Sequence, residues 1–279
     1  MKRVLSVQDL SCVGKCSLTV ALPVLSAMGC ACSVLPTAVL STHTAFPKPH
    51  IRSLTAEITP ICDHWQAIGA EFDAVTVGYL SDPAQAETVS GLLDRFGKLT
   101  VLDPAMGDHG KLYSGMTEAH VQAMAALCRK SDILLPNVTE AALLTGKEYT
   151  PDAGEEYYRD LAEALLALGP EAVVITGVSL QLGKTGFYGL DRENGAFSYQ
   201  TRVLPRSFHG TGDLFSAVLT GGLMNGLTLA EAARLAAGFV EKCIGATRDV
   251  TPFGVEFEQQ LPWLWQKLQG ASCCTCPGY

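Results

Sequence analysis

The chain has 279 residues, of which 48% are hydrophobic and 17% charged, so it can bury one large core. The net charge of −8 argues against a nucleic-acid surface, because binding to phosphate backbones requires clustered Lys and Arg. No apolar run approaches the ~20 residues of a membrane span, and the apolar run after Met1 is too short for a signal-peptide core. We therefore expect a cytoplasmic protein that binds small molecules, with no nucleic-acid or membrane partner.

The ten cysteines are too sparse for a disulfide scaffold in a chain of this length, and we expect them to be reduced. Three of them, Cys273, Cys274 and Cys276, crowd the last residues. Since no fourth ligand accompanies them, a flexible tail is favoured over a metal site. We predict one domain over residues 1–270 and a Cys-rich, flexible tail over residues 271–279.

Strands and helices alternate along most of the chain. After a first strand that starts at Lys2, the patterns predict helices over residues 16–28, 53–68, 83–96 and 117–129, and strands over 32–40, 74–78, 99–102, 133–135 and 172–175. The last two strands are short, continuous and rich in Val, Ile and Leu, which is typical of buried parallel strands. This alternation predicts an α/β fold with a mostly parallel sheet, helices on both faces, and ligands beyond the carboxyl ends of the strands.

The alternation of strands and helices is interrupted in the last third of the chain. Residues 185–189 and 197–203 flank an Asn194-Gly195 turn signal and predict an antiparallel hairpin. Capping patterns predict helix starts at Asp152 with Glu155, and at Thr228 with Glu231, and a last helix covers about 256–268.

The segment Gly210-Thr211-Gly212-Asp213 precedes an apolar helical run that we expect to end near residue 224. Glycines let the backbone approach a ligand closely, and the unpaired N–H groups of a helix's first turn can hold an anion. This segment therefore predicts a phosphate site with a carboxylate beside it. Asp213 could instead be a simple helix cap.

Polar residues directly follow the predicted strands. They are Asp9, residues 42–44, Tyr79, Asp103 with Asp108, and Asn137 with Glu140. Three carboxylates and an amide at one edge of a sheet suit Mg²⁺, which prefers oxygen ligands. Each residue also has an ordinary role as a turn former or helix cap.

His43 and Tyr79 could enclose a flat heterocycle, with Asp9 and Thr44 at its edge, although a lone His or Tyr at a strand end is usually structural. Lys184 could reach a nucleotide phosphate or be a solvated turn residue. The chain contains neither a Walker loop nor Gly-x-Gly-x-x-Gly after the first strand, which disfavours P-loop and dinucleotide binding.

These segments together resemble the ribokinase-like superfamily, and most closely its pyridoxal (pyridoxamine) kinase branch, over nearly the whole chain to about residue 268. The resemblance rests on residues 4–8, 41–44, 78–80, 103–108, 136–140 and 210–213. It implies a single-domain three-layer sandwich that transfers phosphate from ATP, with Mg²⁺, to the 5′-hydroxymethyl group of a vitamin B6 compound. It also suggests a homodimer and leaves a monovalent-cation requirement open.

The same resemblance implies a role for each residue. Asp213 would be the general base, and Gly210, Thr211 and Gly212 the anion hole for the transferred phosphoryl group. The other implied groups are Asp9, His43, Thr44 and Tyr79 for the substrate, Asn137, Glu140, Thr176 and Lys184 for ATP, and Asp103, Asp108 and Glu140 near the metal.

Asp9 departs from the family pattern, which usually has Ser at this position, so the preferred B6 vitamer stays open. The nearest alternative is a hydroxymethylpyrimidine kinase, which also phosphorylates a CH₂OH group on a flat ring but usually has a Gly- and Ala-rich stretch after the first strand. A non-catalytic ligand-binding module on the same fold is a second alternative, and the presence of Asp213 and the carboxylates argues against it.

Overall fold

The protein is described by a computed structural model that covers residues 1–204, 206 and 208–273. Its strands are β1 Arg3–Ser11, β2 Ala31–Leu40, β3 Ile51–Ser53, β4 Ala74–Val77, β5 Thr100–Leu102, β6 Gly107–Asp108, β7 Lys111–Leu112, β8 Ile133–Leu134, β9 Ala172–Val178, β10 Lys184–Asp191 and β11 Gly195–Arg202. Its helices are α1 Leu18–Ala27, α2 Thr55–Ala67, α3 Ala84–Phe96, α4 Glu118–Cys128, α5 Val138–Thr145, α6 Glu155–Leu166, α7 Thr211–Met224, α8 Leu229–Ala246 and α9 Leu261–Cys273, with a 3₁₀ turn at Glu258–Gln260.

Nine of the strands form one sheet in the order β11-β10-β9-β8-β5-β4-β1-β2-β3. The six central strands, from β9 to β2, are parallel to one another. Antiparallel strands flank them, with β3 outside β2 and the β10–β11 hairpin outside β9. Because the six central strands are parallel, their carboxyl ends all lie along the same edge of the sheet.

Alternate residues of the parallel strands point into two separate cores. In β1, Leu5 and Val7 join a core that helices α2 to α6 cover, whereas Val4 joins a second core beneath α1, α7, α8 and α9. In β9, Val173 and Val174 divide between the two cores in the same way. Because both faces are apolar and covered, the molecule is a three-layer sandwich, as the sequence predicts.

The predicted elements are confirmed to within a few residues, with three differences. Two small features were not predicted, the edge strand β3 and the β6–β7 hairpin. The prediction that Asp152 and Glu155 cap α6 was wrong, because Gly154 is the N-cap of this helix and no side chain caps it. The predicted last helix is split, beginning as a 3₁₀ turn and continuing as α9.

At the C-terminus, α9 extends to Cys273, three residues beyond the predicted domain boundary at residue 270. The remaining tail cysteines, Cys274 and Cys276, lie outside the described residues. In the part of the chain that is described, no helix is long and apolar enough to span a bilayer.

Candidate active site

The start of α7 lies at the edge where the parallel strands end. Gly210 is its N-cap and has φ 83°, in the left-handed region that glycine adopts without strain. A Cβ at this position would collide with the carbonyl oxygen of Lys15, so the close approach of two loops also requires glycine. Gly212 is exposed, and the first N–H groups of a helix have no acceptor within it. The predicted anion-binding turn is therefore open to solvent and preorganised.

Asp213 occupies the third position of α7 and is half-buried. Burial raises its pKa to about 6, the backbone N–H of Ser17 opposes this shift, and the charge of Asp9 adds to it. A carboxylate with this pKa is ionised at neutral pH and more basic than an ordinary aspartate. Asp213 thus has the protonation state and basicity of a general base.

Asp103 follows β5 and faces the same turn. A Cβ on Gly212 would lie 3.9 Å from Oδ2 of Asp103. Burial and the charges of Glu140 and Asp213 raise the pKa of Asp103 well above its usual range. No donor within residues 1–204, 206 and 208–273 hydrogen-bonds its carboxylate. The Asp103 carboxylate is therefore available to act as an oxygen ligand beside the anion-binding turn.

Glu140 is buried, and both of its carboxylate oxygens are engaged by backbone groups. Oε1 accepts hydrogen bonds from the N–H of Met106, at 3.0 Å, and of Gly107, at 3.5 Å. Oε2 accepts from the N–H of Asn137 at 2.9 Å, and the Asn137 side chain accepts from the N–H of Glu140, which completes a capping box. Glu140 thus fixes the loop after Asp103, a role that sequence reasoning did not assign to it.

Replacing Glu140 with Ala should lower the free energy of unfolding by about 3 kcal/mol, since the three backbone N–H groups that donate to its carboxylate are left without that partner at ~1 kcal/mol each. Glu231 provides a matched control, because it forms the predicted capping box with Thr228 on the exposed start of α8. Glu231→Ala should cost about 1 kcal/mol or less. Equal losses in urea unfolding of the two variants would show that the Glu140 contacts contribute nothing beyond an ordinary cap.

Asp108 lies on the β6–β7 hairpin, and its side chain is 52% exposed. Its Oδ1 accepts a hydrogen bond of 2.7 Å from the N–H of His109. The hairpin is tied to α5, because the N–H of Gly110 donates to Oγ1 of Thr139 at 2.9 Å. Burial raises the pKa of Glu140 to about 8, and the charge of Asp108 adds to this shift.

Two of the other predicted substrate residues, His43 and Tyr79, lie close enough to Asp9 for charge interactions. Asp9 is 3% exposed near the end of β1, and its charge raises the pKa of both Asp213 and Tyr79. Burial is the larger cause at Tyr79, whose pKa is about 12. The backbone of Tyr79 is fixed by Oγ1 of Thr37, which donates to its carbonyl oxygen at 3.1 Å.

His43 connects three loops. Its Nε2 lies 2.7 Å from the carbonyl oxygen of Pro252, which can only accept, so Nε2 carries the proton. Its ring centroid is 4.7 Å from that of His209 and 4.9 Å from that of Phe46, and the Phe46 ring packs against Phe253 at 5.5 Å. Since His209 directly precedes Gly210, this aromatic cluster attaches the loop after β2 to the anion-binding turn.

Sequence reasoning assigned no role to His209, Phe253 or Ser17. His209 directly precedes the Gly210-Thr211-Gly212-Asp213 segment, so its position was a usable signal. Phe253 and Ser17 carry no local signal, because only the folded chain brings residues 14–17 and 252–254 against residue 210.

The nucleotide residues predicted from the sequence lie farther along the same edge. Asn137 and Thr176 are joined by a parallel β-bridge. Lys184 is exposed at the first position of β10. Thr44 is partly buried next to His43. These placements are compatible with the predicted roles, which stay predictions.

Comparisons with known proteins identify the family and support the fold. A sequence model of the phosphomethylpyrimidine kinase family matches residues 22–255. A Bacteroides thetaiotaomicron protein described as a phosphomethylpyrimidine kinase, in a crystal form with pyridoxal, superposes with a TM-score of 0.90 at 36% identity, covering 94% of this chain and 95% of that one.

Two curated relatives carry different substrate names. A Bordetella bronchiseptica pyridoxine/pyridoxal/pyridoxamine kinase is 30% identical over 88% of this chain and 89% of its own length. A Rhizobium meliloti hydroxymethylpyrimidine/phosphomethylpyrimidine kinase is 30% identical over 70% of this chain and 73% of its own length. The ribokinase-like fold is thereby confirmed. The chain belongs to the phosphomethylpyrimidine kinase family, and pyridoxal kinases are among the relatives of this chain.

Proposed function

We propose that the chain phosphorylates the 5′-hydroxymethyl group of pyridoxal, pyridoxamine or pyridoxine with ATP, as a pyridoxal kinase. The observation that carries this proposal is the placement of Asp213, a carboxylate of raised pKa in the first turn of α7, beside the anion-binding turn at Gly210. The B6 preference is supported by the Bordetella relative and by the pyridoxal-containing Bacteroides structure.

In the proposed reaction the substrate hydroxyl loses its proton to the Asp213 carboxylate as its oxygen attacks the γ-phosphorus of ATP. A new P–O bond forms, the bond to the bridging β,γ-oxygen breaks, and ADP leaves with those electrons. The N–H groups of Thr211 and Gly212 face the charge that spreads over the transferred phosphoryl oxygens. Asn137, Glu140, Thr176 and Lys184 are the proposed nucleotide-side residues.

A divalent cation, with Mg²⁺ expected, fits the donor set present. Asp103 offers an unengaged carboxylate whose pKa is raised by burial and by neighbouring negative charge, and a bound cation would lower that pKa. Within the described residues no group of three or more His, Cys, Asp or Glu side chains could hold a metal alone. This suits Mg²⁺, which typically takes one or two carboxylates together with water and substrate phosphates. When bound, the ion would neutralise phosphate charge, with Asp108 and Glu140 acting at longer range.

Activity should therefore require a divalent cation, and Asp103→Asn should raise the Mg²⁺ concentration needed for half-maximal rate, because one of few protein ligands is weakened. Titrating MgCl₂ at fixed ATP measures this shift. Full activity in excess chelator would refute the metal assignment. Repeating the titration in KCl and in NaCl tests whether a monovalent cation is also required.

A homodimer, a cytoplasmic location, and the division into a domain over residues 1–270 and a short tail remain proposals. They rest on the family resemblance and on the sequence. Sedimentation of the purified protein measures the first of them directly.

The second candidate is hydroxymethylpyrimidine phosphorylation, favoured by the family match and by the Rhizobium relative. A competition assay separates it from B6 phosphorylation. Equimolar pyridoxal, pyridoxine, pyridoxamine and hydroxymethylpyrimidine are incubated with the protein, Mg²⁺ and limiting ATP, and the phosphorylated products are separated by mass. We expect the B6 phosphates to dominate. Predominant hydroxymethylpyrimidine phosphate would favour the second candidate, and no phosphorylated product would favour a non-catalytic module.

A further inference from the structure

Asp9 is a buried carboxylate near the end of β1. It is 3% exposed, whereas the carboxylates of the nine recorded ion pairs have side chains that are 52–71% exposed. In the described part of the chain, no Lys or Arg pairs with Asp9. Its hydrogen bond from Oγ of Ser11 to Oδ2, at 2.9 Å, comes from a neutral donor. A buried carboxylate in such surroundings carries a desolvation cost that a cation would offset.

A second carboxylate close to Asp9 adds electrostatic repulsion to the cost of burying its charge. The Asp213 carboxylate is close enough for the charge of Asp9 to raise its pKa. Burial also raises the pKa of Asp9, and the hydroxyls of Ser17 and Ser11 oppose that shift. His43, which faces Asp9, uses its Nε2 proton for Pro252. Among the described residues, no Lys or Arg forms an ion pair with either carboxylate, and the charge that opposes the raised pKa of Asp9 is that of His43.

The backbone next to this pair is strained. Ser17 has φ 49° and ψ −128°, a conformation that residues other than glycine rarely adopt, and it is 5% exposed. Strain of this kind persists only where the surroundings impose it, and it concentrates at functional sites. Ser17 directs its backbone N–H toward Asp213 and its hydroxyl toward Asp9. The strained turn therefore holds both carboxylates in position.

We propose that Asp9 is a specificity-determining residue that binds a protonated amine on the acceptor substrate and so favours pyridoxamine over pyridoxine. The inference rests on the proposed function, because it assumes that the acceptor is a B6 vitamer. Pyridoxamine carries an ammonium group where pyridoxine carries a neutral hydroxymethyl group. The ammonium would supply a full positive charge to Asp9, which no Lys or Arg of the described residues supplies through an ion pair.

The test compares KM and kcat for the two vitamers in the wild type, Asp9→Asn and Asp9→Ser. A charge-assisted hydrogen bond is stronger than a neutral one, so both variants should raise KM for pyridoxamine about 3- to 30-fold more than KM for pyridoxine. Asp73→Asn is the matched control. Asp73 directly precedes β4, at the amino ends of the parallel strands, so this substitution should leave the ratio of the two KM values unchanged. Equal effects on both vitamers in the Asp9 variants would overturn the proposal.

A binding measurement on the unmodified protein guards against misfolded variants. Titration calorimetry of the wild type should give tighter binding of pyridoxamine than of pyridoxine, and equal affinities would also overturn the proposal. If the wild type phosphorylates neither vitamer, the proposed function itself fails. If it phosphorylates both without the expected selectivity, only the role of Asp9 fails.

Discussion

Asp213→Asn should lower kcat by roughly 10²–10⁴, which is the usual contribution of a positioned general base, while leaving ATP binding nearly intact. The amide keeps the size of the carboxylate but cannot take the substrate proton. Asp160→Asn is the control, because Asp160 is exposed on α6 and pairs only loosely with Lys147 at 3.8 Å. Steady-state rates of the two variants, with thermal melts to confirm folding, measure the effect. Turnover in Asp213→Asn close to the control would remove Asp213 from the base role.

The pH profile gives a second readout of the same residue. Since burial raises the pKa of Asp213 to about 6, the group is protonated and inactive as a base below that value. The kcat/KM of the wild type should therefore fall as pH drops through about 6. This acidic limb should be absent from the residual activity of Asp213→Asn. An unchanged limb in the variant would assign it to another group.

Gly210→Ala should lower kcat by roughly 10²–10³, the range for loss of one oxyanion-hole donor, because the added Cβ collides with the carbonyl oxygen of Lys15 and displaces the anion-binding turn. Gly226→Ala is a close control. Gly226 has φ 85° against 83° for Gly210, but a Cβ there would meet no atom within 4 Å.

Alanine at either position would have a left-handed backbone conformation that costs roughly 1–2 kcal/mol, so both substitutions should destabilise the protein. Only Gly210→Ala also places a Cβ against the carbonyl oxygen of Lys15. Comparing melting temperature and kcat separates strain from displacement. Similar kcat values for the two variants would contradict a catalytic function for the turn at Gly210.

Much of the fold could be predicted from the sequence because its determinants are local. The short apolar runs at Ile133 and Val173 are typical of strands that are buried on both faces of a parallel sheet, and the structure pairs them in parallel. Once the strands are parallel, the residues that follow them must share one edge. That rule alone brought Tyr79, Asp103 and Asn137 to one end of the sheet.

The remaining features depend on contacts between distant parts of the chain. Nothing near Phe253 in the sequence indicates that it packs beside Phe46, and the strain at Ser17 exists only because the folded loops impose it. The orientation of the Glu140 side chain could not be predicted from the sequence either. A capping residue and a metal ligand share the same sequence signature, and only the structure shows its oxygens directed at backbone N–H groups.

Transfer of the γ-phosphate of ATP to pyridoxal is the measurement that tests the central claim most directly. With ATP labelled in the γ-phosphate, wild-type protein, Mg²⁺ and pyridoxal, we expect one labelled phosphate on the 5′-oxygen of pyridoxal for each ADP formed, and a rate at least about 100-fold lower in Asp213→Asn. Label that appears only as inorganic phosphate, or equal transfer by the wild type and Asp213→Asn, would contradict the account.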